Sequence, residues 1–419
     1  MLVHILNKNG KPLMPTTSRK ARLLLKEGKA KCIKRMPFTI QLLFGSYGYK
    51  QDIILGIDAG SKTIGLSAIS GKRELFSAEV ELRTDIVDLL STRRQNRRTR
   101  RNRLRYRKER FSNRVRSKNK GWLAPSIENK INTHLKIVEK LHEILPITKV
   151  IVEVASFDIQ RIKNPEIHGE GYQQGNQLDF WNVREYVLFR DGYKCHGKKS
   201  CKNKVLNVHH IESRKIGGNS QSNLITLCED CHKDYHSGKL KLDLKRGKSF
   251  RDAAFMGIMR WAFYNKLREC YSKVILTYGY ITKNTRIINN LSKEHRIDAL
   301  CITGNPGVKR LDDYYFIKQV RKHNRQIHKA KIIKGGKKKI NQAPYLVGGF
   351  RLFDKVKFQE KECFIFGRRN SGYFDLRTLD GVRVASGAPI RFLKLLNKRK
   401  SLLWERRWQG EHYRTILKG

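Results

Sequence analysis

Four side chains able to bind metal or move protons occur where an α/β sheet could bring them together. Asp58 ends the apolar run DIILGID, Glu153 interrupts the run VIVEVA, and His295 and Asp298 stand three apart in SKEHRIDALCITG. Residues three apart on a helix project from one face. Hydrolysis of a phosphodiester by two divalent ions needs oxygen ligands from several elements. We therefore expect a two-metal site with Asp58, Glu153 and Asp298 as ligands.

Each of these residues also has an ordinary structural explanation. An acid at a strand end, such as Asp58, commonly faces solvent, and a single histidine such as His295 commonly lies on a helix surface. Glu153 is harder to explain in this way, because a carboxylate in a buried strand is costly without a metal or a cationic partner.

A second group of candidate ligands lies in CHGKKSCKNKVLNVHHIESRKIGGNSQSNLITLCEDCHKDYH, residues 195–236. It holds four of the eight cysteines, Cys195, Cys201, Cys228 and Cys231. Four thiolates in a segment too small to bury a core indicate structural zinc rather than disulfides. The five residues between Cys195 and Cys201 exceed the usual ligand spacing, so His196 stays open as a substitute. The cysteines could also be simply buried small residues.

The charge of the chain indicates a polyanionic partner. Among 419 residues, 89 are Lys or Arg and 37 are Asp or Glu, a formal net charge of +52. So large an excess repels itself in a compact fold unless a polyanion neutralises it. Ribosomal and packaging proteins are also this basic, so the motifs must separate them from an enzyme.

Basic residues are concentrated between Arg93 and Lys118, where 14 of 26 residues are Lys or Arg. Arginine is the better bidentate phosphate ligand, so we expect RNA or an RNA–DNA hybrid against this stretch. A membrane-surface helix would need one wide apolar face, whereas these arginines circle the axis. The arginines expected to bind nucleic acid are Arg93, Arg94, Arg97, Arg98, Arg100, Arg101, Arg103, Arg105, Arg107 and Arg110.

The elements around these motifs predict an α/β multidomain protein. Strands end near Asp58 and Glu153, and one long helix is predicted over residues 83–118. Further helices are expected near residues 18–27, 129–145 and 251–271. Alternating apolar and polar runs beyond residue 304 predict a small C-terminal β domain. No stretch approaches the roughly 20 apolar residues of a spanning helix, and residues 1–15 have too short an apolar run for a signal peptide, so we expect a cytosolic protein.

Two resemblances give these motifs specific roles. The order of the acidic pieces resembles a RuvC-like nuclease, an RNase H-like mixed sheet split in three, in which Asp58, Glu153 and Asp298 would bind two Mg²⁺ ions and His295 would assist the attack. The segment containing VHHI, GGNSQSNL and LCEDCH resembles the ββα-metal HNH endonuclease motif on a zinc ribbon. There His210 would be the general base and Asn223 would orient it.

In the same HNH resemblance, His209 and His232 would hold one Mg²⁺ ion. A neutral imidazole can accept a proton at pH 7, so the role given to His210 is chemically reasonable. His209 and His210 must face opposite ways, as neighbours on a strand do, and for one to reach the metal while the other reaches the attacking water a local irregularity of the strand is required. His236 is expected to be a helix-surface residue.

With KPLMP near its start, the chain resembles the IscB family along nearly its whole length. The arginine-rich stretch resembles the bridge helix of RNA-guided nucleases. The parts implied are an N-terminal PLMP module (1–50), RuvC parts I (51–82), II (121–165) and III (246–304), a bridge helix (83–120), an HNH nuclease (178–240), and a basic C-terminal domain that interacts with RNA and a target-adjacent motif (305–419).

IscB proteins are transposon-associated relatives of the large type II CRISPR effectors. The resemblance implies a long structured guide RNA and double-stranded target DNA with a short adjacent motif. It also implies a monomeric protein in a ribonucleoprotein, in the nucleoid region of a prokaryotic cytoplasm. HNH would cut the target strand and RuvC the non-target strand. A protein-only structure-specific or homing endonuclease and a catalytically silent RNA-binding scaffold are the alternatives.

Overall fold

A computed structural model describes residues 2–45, 47–102, 121–154, 166–198, 200–201, 203–213, 218–247, 251–321 and 344–408. The chain divides into two compact units. One combines residues 1–155 with residues 258–419, and the other comprises residues 156–257. In the described part of the chain, no helix is both long and apolar enough to cross a membrane. The predicted α/β multidomain class is confirmed.

The chain begins with a four-stranded sheet and one helix. The strands are ordered β2-β1-β4-β3. Helix α1 is capped by the Thr17 hydroxyl and packs its Ala21 against Val3 and Ile40 of the sheet. The elements are β1 (Leu2–Leu6), β2 (Pro12–Thr17), α1 (Ser18–Lys26), β3 (Ala30–Arg35) and β4 (Phe38–Leu42).

A seven-stranded sheet with the order β11-β8-β5-β6-β7-β12-β18 forms the centre of the larger unit. Strands β5, β6 and β7 are an antiparallel meander, and β8 and β11 run parallel to β5. Parallel strands end at the same edge, so the carboxyl ends of β5 and β8 lie side by side. The strands are β5 (Ile54–Ala59), β6 (Thr63–Ser70), β7 (Arg73–Glu81), β8 (Lys149–Val154), β11 (Val274–Tyr278), β12 (Asp313–Gln319) and β18 (Leu402–Trp408).

The helices of the larger unit include one that packs directly on the meander. They are α2 (Ile86–Asn102), α3 (Pro125–His142), α6 (Arg251–Cys270), α7 (Gly279–Ile288) and α8 (His295–Ile302). A Cβ atom on Gly65 would collide with the backbone carbonyl of His295, and one on Gly56 with that of Ala299. These two glycines therefore let the first turns of α8 rest on β5 and β6, above Asp58.

The long basic helix departs from the prediction at its start and is described over only part of its length. It begins at Ile86 rather than Arg83, because residues 83–85 form a short link in which Arg83 pairs with Asp85. Its described part ends at Asn102. Arg103, Arg105, Arg107 and Arg110 lie outside the described residues.

The smaller unit contains a two-stranded antiparallel sheet flanked by helices. Its elements are α4 (Val183–Arg190), β9 (Leu206–His210), β10 (Leu224–Cys228) and α5 (Glu229–His236). The register pairs His210 with Leu224 and His209 with Ile225. The sheet is thus a hairpin that carries the two histidines at the end of its first strand.

The last described region is a five-stranded antiparallel sheet ordered β16-β15-β14-β13-β17. Its strands are β13 (Lys355–Phe358), β14 (Lys361–Arg368), β15 (Tyr373–Arg377), β16 (Arg383–Pro389) and β17 (Lys394–Asn397). The prediction placed residues 305–419 in one C-terminal domain. In the structure, β12 and β18 of that range pair with each other instead, and β12 extends the central sheet beside β7. Alternating apolar residues mark a strand but do not say which sheet it joins.

Candidate active sites

The first candidate site lies at the carboxyl edge of the central sheet. Ile57 of β5 pairs with Val152 of β8, so the next residues, Asp58 and Glu153, stand side by side. Both side chains are buried, with 6% and 8% of each residue exposed. Two acids in so dry a position need cationic partners, because an isolated buried carboxylate is strongly destabilised.

His295, the first residue of α8, supplies one of these partners. Its Nδ1 atom lies 2.6 Å from Oδ2 of Asp58. The hydrogen bond to the Asp58 carboxylate raises the pKa of His295, against the opposing effect of burial. The imidazole therefore holds a proton more readily than a free histidine, at a position that touches the carboxylate.

Asp298 projects from the same face of α8, close to a full turn beyond His295. Burial raises the pKa of its carboxyl, and the negative charge of Asp58 adds to that effect. Arg286 of α7 opposes the shift, with its Nε atom 2.9 Å from Oδ1 of Asp298. The structure thus brings Asp58, Glu153, His295 and Asp298 into one site.

The site also contains one residue that the sequence patterns did not predict. Arg260 of α6 reaches Glu153 Oε1 with Nη1 at 2.6 Å, Asp58 Oδ1 with Nη2 at 3.5 Å, and the Ala59 carbonyl with Nε at 2.9 Å. The signal that could have found it is a lone arginine in the apolar helical run FMGIMRWAF. A buried cation in such a run requires an acidic partner.

The donor set of this site fits hard divalent cations. Three carboxylates arrive from β5, β8 and α8, and oxygen ligands are what Mg²⁺ prefers. The repulsion from Asp58 that raises the Asp298 pKa is relieved when a cation binds between them. The residues therefore suit the predicted metal pair.

The second candidate site is a cluster of four thiols in the smaller unit. The Sγ atoms of Cys195, Cys201, Cys228 and Cys231 all lie within 4.8 Å of one another. Burial alone would raise the pKa of Cys195, but backbone N–H groups of the Cys228 and Gly197 positions donate to its sulfur and lower it. Sulfur ligands at this spacing suit a tetrahedral zinc ion. His196 is not part of the cluster.

Three histidines form the third candidate site. Ring centroids of His209 and His232 lie 5.1 Å apart, and those of His232 and His236 4.6 Å apart. Burial, followed by repulsion from the neighbouring histidines, lowers the pKa of His209 to about 4. Burial, followed by repulsion from His236, also lowers the pKa of His232. The imidazoles of His209 and His232 are therefore neutral at pH 7, the form that binds metal.

His236 is an exposed residue of α5, as expected, and it also belongs to the histidine cluster. One of its ring nitrogens lies within 4.8 Å of ligand atoms of His209 and His232, a placement that was not predicted. The i, i+4 spacing of His232 and His236 on α5 puts both on one face of the helix. This spacing was visible in the sequence and is the signal that could have found it.

Asn223 also differs from its expected role. Its side-chain oxygen accepts from the Glu212 backbone N–H, and its amide nitrogen donates to the carbonyls of Glu212 and Gly218, at 2.9 to 3.0 Å. His210 Nε2 instead lies 3.0 Å from Oδ1 of Asn219. Asn223 lies opposite Ile211, one position beyond His210 in the hairpin, so its fully buried amide holds the loop. Asn219 is the residue that contacts the imidazole.

His209 and His210 face different groups, as adjacent strand residues should. His209 is 6% exposed and contacts His232 and His236, whereas His210 is partly exposed beside Asn219. The expected irregularity of β9 is not seen at these two residues, because its register with β10 is unbroken through His209 and His210.

Among the predicted phosphate-binding arginines, Arg93, Arg94 and Arg97 are exposed on α2, and Arg98, Arg100 and Arg101 follow in the same helix.

Two protein families match parts of the chain. Residues 3–175 match the family described as RRXRR protein, and residues 97–101 read RRTRR. Residues 193–238 match the HNH endonuclease family, which covers the thiol cluster, His209, His210, Asn223 and the α5 histidines. Anaredoxin from Nostoc sp. (strain PCC 7120) is 42% identical over 45 residues, 10% of this chain and 59% of that protein.

Solved structures of Cas9 enzymes show only distant similarity. Streptococcus thermophilus Cas9 in complex with the GGAA PAM aligns with a TM-score of 0.34 and 15% identity, over 50% of this chain and 30% of that one. The type II-C Cas9 from Actinomyces naeslundii aligns with a TM-score of 0.25 and 10% identity, over 61% and 60%. The chain thus spans less than two thirds of the length of each of these relatives, and such TM-scores do not establish a shared fold.

Proposed function

We propose that this chain, an IscB-like protein with an HNH endonuclease domain, is an RNA-guided DNA endonuclease. A long structured guide RNA pairs with the target strand of double-stranded DNA, beside a short adjacent motif. The histidine site of the smaller unit cleaves that strand, and the carboxylate site cleaves the displaced strand. The protein acts as a monomer in a ribonucleoprotein, in the nucleoid region of a prokaryotic cytoplasm.

The observation that carries this proposal is the convergence of Asp58, Glu153 and Asp298. These residues come from sequence segments separated by the arginine-rich helix and by the unit that contains the histidines. Such an arrangement fits an RNase H-like RuvC sheet split in three, with the HNH nuclease on its zinc ribbon placed between the second and third parts. Two of the three acids thus lie at neighbouring strand ends, and the third lies on the helix that packs above them.

In the carboxylate site, the protein side chains bind and orient. Two Mg²⁺ ions bound there would activate the attacking water and stabilise the leaving oxygen. Asp58, Glu153 and Asp298 would hold these ions from β5, β8 and α8. The hydrogen bond to Asp58 raises the pKa of His295, so its imidazole is protonated more readily and can donate a hydrogen bond to the attacked phosphate.

In the histidine site, His210 removes a proton from water and Asn219 holds its imidazole in place. A divalent ion bound by His209, His232 and His236 would polarise the scissile phosphate. Three imidazole nitrogens suit a transition-metal ion better than Mg²⁺. His210 is partly exposed, so a water molecule can approach its imidazole and give up a proton to it. The buried amide of Asn223 bonds to the backbone of Glu212 and Gly218.

The charge of +52 supports an RNA partner. Arg93, Arg94 and Arg97 expose guanidinium groups along α2. Each phosphate that they neutralise releases counterions, so binding should weaken steeply as salt concentration rises. In the proposal, α2 acts as the bridge helix, and the N-terminal and C-terminal sheets also contact the RNA.

Purification with native RNA tests the proposal. The protein is isolated from its native host, its RNA is sequenced, and the complex is incubated with Mg²⁺ and a library of DNA targets. We expect a discrete RNA of roughly a hundred nucleotides or more, whose guide segment matches the cleaved targets. Cleavage should stop after ribonuclease treatment and return when the transcribed RNA is added. Full-rate cutting without RNA would instead show a protein-only endonuclease.

The matched control for that experiment is a protein with both sites disabled. An Asp58→Ala and His210→Ala double variant should bind the same RNA and the same DNA without cutting either strand. A double variant that still cuts would point to a contaminating nuclease, and one that loses the RNA would show that the substitutions disturbed the fold.

A further inference from the structure

Arg260 fills the gap between the ends of β5 and β8. Its guanidinium contacts the carboxylates of Asp58 and Glu153 and the carbonyl of Ala59, which makes it a three-point connection across the strands. The arginine is 8% exposed. Since a guanidinium keeps its charge even when buried, it can lie here only because the acids neutralise it.

The neighbours of Arg260 anchor its helix in the core. Met259 and Phe263 on either side of it in α6 are fully buried. Phe263 also packs its ring 5.0 Å from that of His134, a fully buried residue of α3. Since the helix is held on both sides of Arg260, release of its contacts would have to come from rotation of the arginine side chain.

A divalent ion and Arg260 compete for the same two carboxylates. An ion held by Asp58 and Glu153 would be attracted by the negative charge that Nη2 and Nη1 of the arginine now neutralise. Two cations so close together repel strongly where little water screens them. We therefore expect binding of the ion to displace the guanidinium from its 2.6 Å contact with Glu153.

We propose that Arg260 is a displaceable internal counter-ion for the carboxylate site. It is a positioning residue that keeps Asp58 and Glu153 together before the metal binds, and it lowers the affinity of the site for that metal. The bond from Nε to the Ala59 carbonyl is not to a metal ligand, so it can hold the guanidinium nearby after the exchange. This inference rests on the proposed role of the carboxylates as metal ligands.

Metal binding to an Arg260→Gln variant tests the inference. Mn²⁺ binding is measured by calorimetry in a protein that also carries His209→Ala and His232→Ala, so that only the carboxylate site reports. We expect Arg260→Gln to bind Mn²⁺ at least tenfold more tightly than its parent, because one competing positive charge is gone. Arg260→Lys, which keeps that charge, should remain within about threefold of the parent.

Two further variants serve as controls. Arg268→Gln removes a cation from the exposed face of the same helix and should leave Mn²⁺ affinity unchanged. Asp58→Ala should abolish binding. If Asp58→Ala binds Mn²⁺ as the parent does, the proposed metal site itself is wrong. If Asp58→Ala fails to bind while Arg260→Gln binds like the parent or more weakly, only the counter-ion role is overturned.

A structure of the wild-type protein soaked with Mn²⁺ covers the case in which Arg260→Gln does not fold. We expect the guanidinium to have left Glu153, with the ion bound to both carboxylates and Nε still near the Ala59 carbonyl. An ion bound there while Nη1 stays about 2.6 Å from Glu153 would overturn the inference.

Discussion

Nδ1 of His295 lies 2.6 Å from Oδ2 of Asp58, although 237 positions separate the two residues. The contact is possible because α8 begins at His295 and rests on Gly65 without an intervening side chain. This contact joins the sequence segment that supplies the first residue of the site to the segment that supplies the last. A local sequence pattern could nominate each residue, but only the close approach of α8 to the meander makes them partners.

Asp58→Ala and His210→Ala should each convert the protein into a nickase. Each substitution removes one centre and leaves the other, so one strand should be cut at the wild-type rate and the other at least a hundredfold more slowly. The measurement is cleavage of a duplex with a different label on each strand, in the presence of guide RNA. Loss of both cuts in either single variant would contradict two independent centres.

Asn219→Ala should slow cleavage by the histidine site without destabilising the smaller unit. Its carbonyl oxygen contacts His210 Nε2, so its removal frees the imidazole to adopt other orientations, at a cost of about tenfold to a hundredfold in rate. Single-turnover cleavage of the target strand measures this effect. Asn219→Asp, which keeps an oxygen atom at the position that contacts His210, serves as the matched variant.

Asn223→Ala should act differently from Asn219→Ala. The buried amide makes three hydrogen bonds to the backbone of Glu212 and Gly218, and leaving those backbone groups unpaired should lower the free energy of unfolding by about 2 to 4 kcal/mol. Thermal unfolding followed by circular dichroism is the measurement. If stability is unchanged and activity is lost, the prediction is wrong and Asn223 acts directly in catalysis.

His236→Ala should weaken metal binding at the histidine site. One of three clustered imidazoles is lost, and we expect the dissociation constant for Mn²⁺ to rise at least tenfold, about 1.4 kcal/mol. Calorimetry on a protein with Asp58→Ala isolates this site. His168→Ala, at an exposed histidine outside the cluster, is the control and should bind as the parent does.

Removal of zinc should unfold the smaller unit selectively. Four thiolates hold it together, and Cys228→Ser removes the buried ligand that also caps α5. Elemental analysis should find one zinc ion fewer per chain, and cleavage of the target strand should be lost. Cys270→Ser, at an exposed cysteine of α6, should keep both. Full target-strand cleavage by a zinc-free protein would contradict a structural role for the cluster.

Two buried histidines should make the larger unit sensitive to acid. Burial lowers the pKa of His4 and of His134 to about 4 from an ordinary value of 6.5. Between these values the unfolded chain takes up protons that the folded chain does not. As the pH is lowered from about 6.5 to about 4, the free energy of unfolding should therefore fall by up to about 3 kcal/mol per histidine. Above pH 6.5, neither histidine makes the free energy of unfolding depend on pH.

Urea unfolding at pH 7.5 and pH 4.5 measures that loss. A His4→Gln variant should show a smaller difference between the two pH values than the wild type, whereas His168→Gln, at an exposed histidine, should not. Equal pH dependence in His4→Gln and wild type would assign the acid sensitivity to other groups.

The sequence predicted the parts of the sites that local pattern controls. Glu153 stands out because it interrupts an apolar strand, and the helical spacing of His295 and Asp298 puts them on one face. Arg260 could not be placed as their partner, because that pairing depends on how α6 packs across the sheet. Asn219 and Asn223 lie in the same polar loop, and only the hairpin register distinguishes the residue that contacts His210 from the one that holds the loop.

Strands β8 and β11 are hydrogen-bonded neighbours in the central sheet, yet the whole smaller unit lies between them in the sequence. A parallel crossover needs only a dozen or so residues, and α6 alone is long enough to make it. Insertion of the smaller unit after β8 therefore breaks no hydrogen bonds between the strands of the central sheet. This junction should therefore accept removal of the smaller unit, or its replacement by another domain, while the central sheet keeps its strand pairing.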